Sequence, residues 1–124
     1  MSESIEMYLE TIQLLQERLG VVRSIDIANE MNFSKPTISQ QIRRLKEKKL
    51  VTIDHKGHIH LTKDGESIST KILERHHVLT DFFIDLGVDP IIAEEDACRV
   101  EHYISDETFE ALKTHIKTLK PSSR

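Results

Sequence analysis

The chain has 124 residues and a formal net charge of -4, with 38% hydrophobic and 31% charged residues. That is the composition of a soluble globular protein with one core or two small ones. No apolar run is long enough to cross a bilayer and no basic-then-apolar leader is recognised, so a membrane role is not expected and a cytoplasmic location is. The single cysteine, Cys98, excludes an internal disulfide framework and leaves one sulfur for metal binding, for redox chemistry, or for the core as a small hydrophobe.

In chain order, Ile5, Tyr8, Leu9, Ile12, Leu15 and Leu19 recur at helical spacing, which predicts a first helix from about Glu3 to Leu19 that stops at Gly20. Ser24 is expected to cap a short helix over residues 25–31, and Asn32-Phe33 to form a tight corner. Ser34 then caps a further helix with Pro36 in its first turn and Ile38, Ile42 and Leu45 facing the core. After Leu50 the period changes. Val51, Ile53, Ile59 and Leu61 fall in two short runs around Lys56-Gly57, the pattern of a two-stranded hairpin. Thr62 is expected to cap a long helix running through Ile68, Ile72, Leu73 and Leu79 to Leu86, closed by Gly87. Asp89-Pro90 begins the next helix, and Ser105 with Asp106 and Glu107 begins the last, which ends before Pro121 and a frayed tail. The fold class predicted is mainly α with a small β-hairpin. A winged helix-turn-helix, residues 1–62, would precede a helical metal-binding and dimerisation domain, residues 63–124.

Charge is polarised within this plan. From Lys35 to Lys49, six basic side chains face a single acid, Glu47, in a chain that is acidic overall, as expected when one face meets phosphate. A helix that enters the major groove reads bases with side chains near its N-terminus, while flanking bases hold phosphates. Ser34, Lys35, Pro36, Thr37, Ser39 and Gln40 occupy that position here. Gln40 is the foremost candidate for a base contact, because its amide pairs with adenine in bidentate fashion. Arg43, Arg44 and Lys56, with His55 and His58, are candidates for phosphate contacts. The expected partner is double-stranded operator DNA, bound by a homodimer.

A second constellation lies downstream. Cys98, Glu101 and His102 stand at i, i+3 and i+4, so one helical face would carry thiolate, carboxylate and imidazole together. Met7 and Glu10 are spaced i, i+3 on the first helix, and the adjacent pair His76-His77 lies in the long helix, so three helices offer metal donors. Thioether and thiolate favour Fe(II), Co(II) or Ni(II) over the harder Mn(II); Fe(II) is the first expectation and Mn(II) the alternative. A metal-independent or redox-sensing regulator built around Cys98 is a competing reading. An enzyme is not expected, because neither a His-Glu-x-x-His motif nor a Gly-rich phosphate loop occurs.

The chain resembles the diphtheria-toxin-repressor family of metal-dependent regulators, which has an iron-sensing and a shorter manganese-sensing branch. The resemblance runs from Ile5 to about Leu119. It rests on Glu6-Met7-Tyr8-Leu9 with Thr11-Ile12, on Ser34 with Pro36-Thr37-Ile38-Ser39-Gln40, and on Asp96-Ala97-Cys98-Arg99 with Glu101-His102 and Ser105-Asp106. It implies that Met7, Cys98, Glu101 and His102 form an activating metal site, and that Ser34, Pro36 and Gln40 touch DNA. The iron-sensing branch adds an SH3-like domain, for which this length leaves no room. The manganese branch has a Glu matching Glu10 but carries carboxylates where Met7 and Cys98 stand. For a second metal the resemblance offers His76, while the next family ligands match Thr80 and Glu94; Glu10, Glu94, His77 and Asp81 are further candidates. Repression of metal-uptake genes is implied by the resemblance alone.

Overall fold

Two cores, each built by apolar residues at the spacing of the element that carries them, organise the chain. The computed structural model describes residues 3–119. Within them run α1 (Glu3–Leu19), α2 (Ser24–Met31), α3 (Lys35–Glu47), β1 (Val51–Ile53), β2 (Ile59–Leu61), α4 (Lys63–Asp85), α5 (Pro90–Val100) and α6 (Asp106–Leu119). The predicted stop at Pro121 and the frayed tail lie outside the described residues. The chain divides into two compact units, Met1–Lys71 and Ile72–Arg124, with the division falling inside α4.

The first unit packs α1, α2, α3 and the hairpin around one cluster that includes Leu9, Ile12, Leu15, Val22, Ile27, Ile38, Ile42, Leu45, Val51 and Ile59. Burying such side chains is worth about 1.5–3 kcal/mol each before conformational entropy is set against it. Leu19, expected on the buried stripe, is 48% exposed; α1 ends there and Gly20 turns the chain at φ 86°. Capping follows the polar residues, with one change. The N-cap of α2 is Arg23 and not Ser24: the Arg23 N–H donates to the Asp26 carboxylate at 2.9 Å, so the third helical residue closes the helix end. Asn32 ends α2 in the left-handed region at φ 58°, a conformation that Asn tolerates better than most residues.

Ser34 caps α3 as expected, its Oγ accepting from the Thr37 N–H at 3.3 Å, with Pro36 in the first turn. The strands pair antiparallel, Val51 opposite Leu61 and Ile53 opposite Ile59. Their turn is tightened by Asp54, whose Oδ1 accepts from the N–H groups of Lys56 at 2.8 Å and His58 at 3.0 Å, and Gly57 supplies the positive φ of 80°. The hairpin is fastened by two main-chain bonds outside its own ladder: Ile59 N–H to Val22 O, and Thr62 N–H to Leu50 O. A buried polar strut, Ser69 Oγ donating to Gln13 Oε1, joins α4 to α1 inside this unit.

The second unit closes around Leu79, Ala97 and Phe109, with Val78, Phe83, Val100, Ile104 and Leu112 packed against them. Asp89 caps α5 by accepting from the N–H groups of Ile91 and Ile92, ahead of Pro90. Ser105 caps α6 by accepting from Thr108 N–H at 3.1 Å. The predicted single helical face of Cys98, Glu101 and His102 is modified: α5 ends at Val100 and Glu101 is its C-cap, still in right-handed helical geometry. The i, i+3 relation of Cys98 and Glu101 therefore survives the helix end, and His102 lies in the turn beyond it.

One glycine of the first unit has no room to change. A Cβ built on Gly65, in the first turn of α4, would stand 2.1 Å from the Leu50 carbonyl oxygen. Gly65→Ala should therefore destabilise the protein by about 1–3 kcal/mol, seen as a lower Tm by circular dichroism, although alanine is ordinarily the better helix former. An unchanged or raised Tm would contradict the close approach of α4 to the α3–β1 corner.

Candidate metal centre and nucleic-acid interface

The middle of α4 and the end of α5 bring three donors together. His76 Nδ1 lies 3.0 Å from Glu101 Oε2 and 3.7 Å from Cys98 Sγ. One ligand atom from each of His76, Cys98 and Glu101 falls within 4.8 Å of the other two. His102 Nε2 is 3.4 Å from the second carboxylate oxygen, Glu101 Oε1, and its side chain is 3% exposed. Glu101 itself is 0% exposed, and Oε1 has no hydrogen-bond partner among the described residues. A carboxylate so enclosed loses several kcal/mol of hydration unless positive charge and hydrogen bonds replace it. The orphaned oxygen, the neighbouring thiol and the two imidazoles are the donor chemistry of a divalent transition-metal site; these residues fit such an ion.

The electrostatics agree. The His76 pKa is pushed up to about 10, first by the hydrogen bond with Cys98 and then by the one with Glu101, against the opposing effect of burial. In the metal-free protein a proton thus stands where a cation would bring its charge. Cys98 is exposed, so it is not the buried hydrophobe that a lone cysteine often is.

The other metal candidates distribute as follows. Met7 and Glu10 stand on α1 in the first unit, Met7 exposed and Glu10 half-buried. His77 is exposed on α4, its ring edge-on to that of His76 at 5.7 Å. Glu94 Oε1 approaches His76 Nε2 to 3.9 Å from an exposed position on α5. Thr80, where the resemblance would expect a carboxylate, has a buried hydroxyl without a hydrogen-bond partner among the described residues, and Asp81 is exposed. The sequence pattern did not reveal that Glu101 is wholly enclosed, since glutamate at a helix end ordinarily faces water.

In the first unit the start of α3 presents a continuous exposed surface: Ser34, Lys35, Pro36, Thr37, Ser39 and Gln40 are all exposed, while Ile38 between them is fully buried. Alternation of this kind holds the helix by one face and frees the other for a groove. Arg43 and Arg44 continue the exposed face, Arg44 donating to Gln41 Oε1 at 3.1 Å. Two residues that the sequence offered only as a helix cap and as part of the basic run, not as DNA contacts, join Arg43 here. Ser24 and Lys46 line a shallow cleft with Ser39, Arg43, Ile42 and Ile53, a union of hydroxyls and cations from α2, α3 and β1 that no single-segment pattern shows. On the wing, His55 and Lys56 are exposed. His58, expected at phosphate, is instead half-buried with Nδ1 3.7 Å from Asp54 Oδ2. His60 Nε2 meets the same oxygen at 3.0 Å, and this hydrogen bond is the first cause holding the Asp54 carboxyl below the usual range.

A helix-turn-helix with a wing, joined to a helical unit bearing thiol, imidazole and carboxylate donors, defines the class of metal-dependent DNA-binding regulators. The model of the iron dependent repressor N-terminal DNA binding domain matches residues 1–59, and that of the iron dependent repressor metal binding and dimerisation domain matches residues 62–123. The chain belongs to the iron dependent repressor family, whose members are transcriptional regulators that bind operator DNA and dimerise. It is 34% identical over 111 residues to the transcriptional regulator MntR of Escherichia coli O6:H1, covering 90% of this chain and 72% of that protein. It is 32% identical over 123 residues to the diphtheria toxin repressor of Corynebacterium diphtheriae, covering 98% of this chain and 53% of the relative. The structure of the manganese regulator SloR superposes with a TM-score of 0.79 at 28% identity over 91% of this chain and 53% of that one. The chain thus spans about half the length of these last two relatives. Among the described residues no helix is long and apolar enough to cross a membrane.

Proton NMR of the metal-free protein tests the cluster. The His76 ring should remain protonated through neutral pH and titrate near the value of about 10 that its partners impose. Cys98→Ala should lower that value more than Glu101→Gln, since the sulfur makes the larger contribution. Titration at an ordinary imidazole pH in the unsubstituted protein would show that the three side chains do not meet.

Proposed function

We propose that this protein is a cytoplasmic repressor of metal-uptake genes whose affinity for operator DNA is raised by Fe(II). The observation that carries the reading is the convergence of a thiol, an imidazole and a buried, half-satisfied carboxylate at His76, Cys98 and Glu101. The ligand set we assign is Met7, Glu10, His76, Cys98, Glu101 and His102. The first two are supported by their i, i+3 spacing on α1 and by the family pattern. Bound there, a divalent ion supplies the charge and the coordinate bonds that a metal-free Glu101 obtains only in part from imidazolium. Sulfur donors support iron over manganese. Manganese is the second reading, supported by the carboxylates of Glu10 and Glu101 and by relatives described as a manganese regulator and a manganese-dependent repressor. We assign residues 1–62 to DNA binding and 63–124 to metal binding and dimerisation.

On the DNA side, Ser34, Lys35, Pro36, Thr37, Ser39 and Gln40 would enter the major groove, with Gln40 reading a base. Arg43, Arg44 and Lys56 would hold phosphates, with Ser24 and Lys46 joining Arg43 at the cleft. Two copies would place two such helices on successive major grooves, which requires dimerisation. Leu86, Ile91 and Ile92, which flank the α4–α5 turn and are 65%, 70% and 50% exposed, support a self-association face there, because large apolar side chains so presented ordinarily find a partner surface.

Duplexes selected from a random pool under anaerobic Fe(II) supply the operator for fluorescence-anisotropy titrations. Fe(II) should raise affinity more than Mn(II) at equal free concentration, and Cys98→Ala should abolish that preference while leaving the fold intact by circular dichroism. Gln40→Ala should leave metal affinity unchanged and cost about 1–3 kcal/mol of discrimination at one base position. Affinity for DNA that ignores both metals would support a metal-independent regulator instead. In sedimentation velocity, the double change Ile91→Glu and Ile92→Glu should convert dimer to monomer.

A further inference from the structure

Arg75 is a buried cation of the second unit with several partners, and no function described so far uses it. It is 6% exposed. Its guanidinium donates through one terminal nitrogen to the Glu101 carbonyl at 3.0 Å and the Ile104 carbonyl at 2.7 Å, and through the other to the Asp106 carboxylate. The same group lies over the Phe109 ring, 5.5 Å from its centroid. Helix ends and turns leave carbonyls without intrahelical partners; between α5 and α6 Arg75 meets those of Glu101 and Ile104 and then ties the turn to the start of α6.

The consequence concerns metal ligands. Arg75 and His76 are consecutive on α4, so their side chains leave the helix in different directions. Arg75 takes the main-chain oxygen of Glu101, while His76 takes its carboxylate at 3.0 Å. One residue is thus held by backbone and side chain from a single turn of α4. The turn so fixed also carries His102. Groups that orient a ligand without touching the metal set its affinity, because a ligand free to move must be ordered when the ion binds.

We infer that Arg75 is a positioning residue of the metal centre: by clamping the Glu101 and Ile104 carbonyls and the Asp106 carboxylate, it presents Glu101 and His102 in their binding arrangement before any ion arrives. This rests on the metal-binding reading above. A guanidinium suits the task better than an ammonium, since its planar fork serves several acceptors at once in a fixed geometry.

Anaerobic Co(II) titrations of the metal-free full-length protein test it, read by the thiolate-to-cobalt charge-transfer band and the ligand-field bands. Arg75→Ala should weaken Co(II) binding about 10- to 100-fold and change the ligand-field spectrum while the far-ultraviolet circular dichroism stays helical. Arg75→Lys, which restores the charge but not the fork, should fall between the two, and it decides the matter if the alanine variant does not fold. Asp106→Asn, which leaves both carbonyl contacts in place, should cost less than Arg75→Ala. Native cobalt affinity and native bands in Arg75→Lys, together with a lower Tm, would reduce Arg75 to a structural strut and overturn the inference. The parent reading fails differently: the unsubstituted protein would then show no charge-transfer band, or Cys98→Ser would leave that band in place.

Discussion

A carboxylate removed from water must recover its hydration energy from nearby charge and hydrogen-bond donors, and Glu101, with no exposure at all, sets this demand at the centre of the second unit. One oxygen accepts from His76 and the other lacks a hydrogen-bond partner among the described residues, with the His102 ring at 3.4 Å. That imbalance is the ground on which we propose a metal site at the turn after α5. It also accounts for the high His76 pKa: the imidazole keeps its proton because a thiol and a carboxylate both face it. Thiol, carboxylate and imidazole gathered in this way are donors suited to a divalent ion.

The first unit answers a different requirement. A recognition helix must be rigid underneath and uncommitted on top. Ile38, Ile42 and Leu45 fasten α3 to the core, whereas Ser34 to Thr37, Ser39 and Gln40 remain at the surface. Their polar atoms are not idle in the free protein. The Ser34 hydroxyl caps the helix and meets the Thr37 hydroxyl at 2.8 Å, which fixes the first turn before DNA is encountered. The wing is held in the same spirit by Asp54, which gathers the N–H groups of Lys56 and His58 and the rings of His58 and His60. Its basic outer tip is therefore His55 and Lys56.

The relatives of this chain include the transcriptional regulator MntR, the diphtheria toxin repressor and a structure described as a manganese regulator, and the ligand set proposed above mixes soft and hard donors. Sulfur at positions 7 and 98 leans one way and the carboxylates at 10 and 101 lean the other. Donor softness is a matter of side-chain chemistry; the free energy that converts it into selectivity depends on how rigidly the donors are held, hence the interest of Arg75 beside His76.

Much of the fold was legible because it depends on local rules. Helical spacing from Ile5 to Leu15, the Ser34-Lys35-Pro36 cap, the change to period two at Val51 and the Asp89-Pro90 start all appear where the sequence indicates them. Cys98, Glu101, His102 and His76 could be named from the sequence as candidate donors, because thiol, carboxylate and imidazole are the side chains that bind transition metals. Tertiary structure alone decided the rest: that Asp26 and not Ser24 closes α2, that Leu19 and Leu86 are exposed, that His58 turns to Asp54, and that α5 stops one residue before Glu101. It alone showed Glu101 enclosed, Arg75 gripping the turn and Gly65 pressed against Leu50. The reason is that caps, turns and amphipathic faces depend on neighbours within a few residues. Burial of a charge, by contrast, depends on partners 25 or more residues away, whose approach no local periodicity encodes.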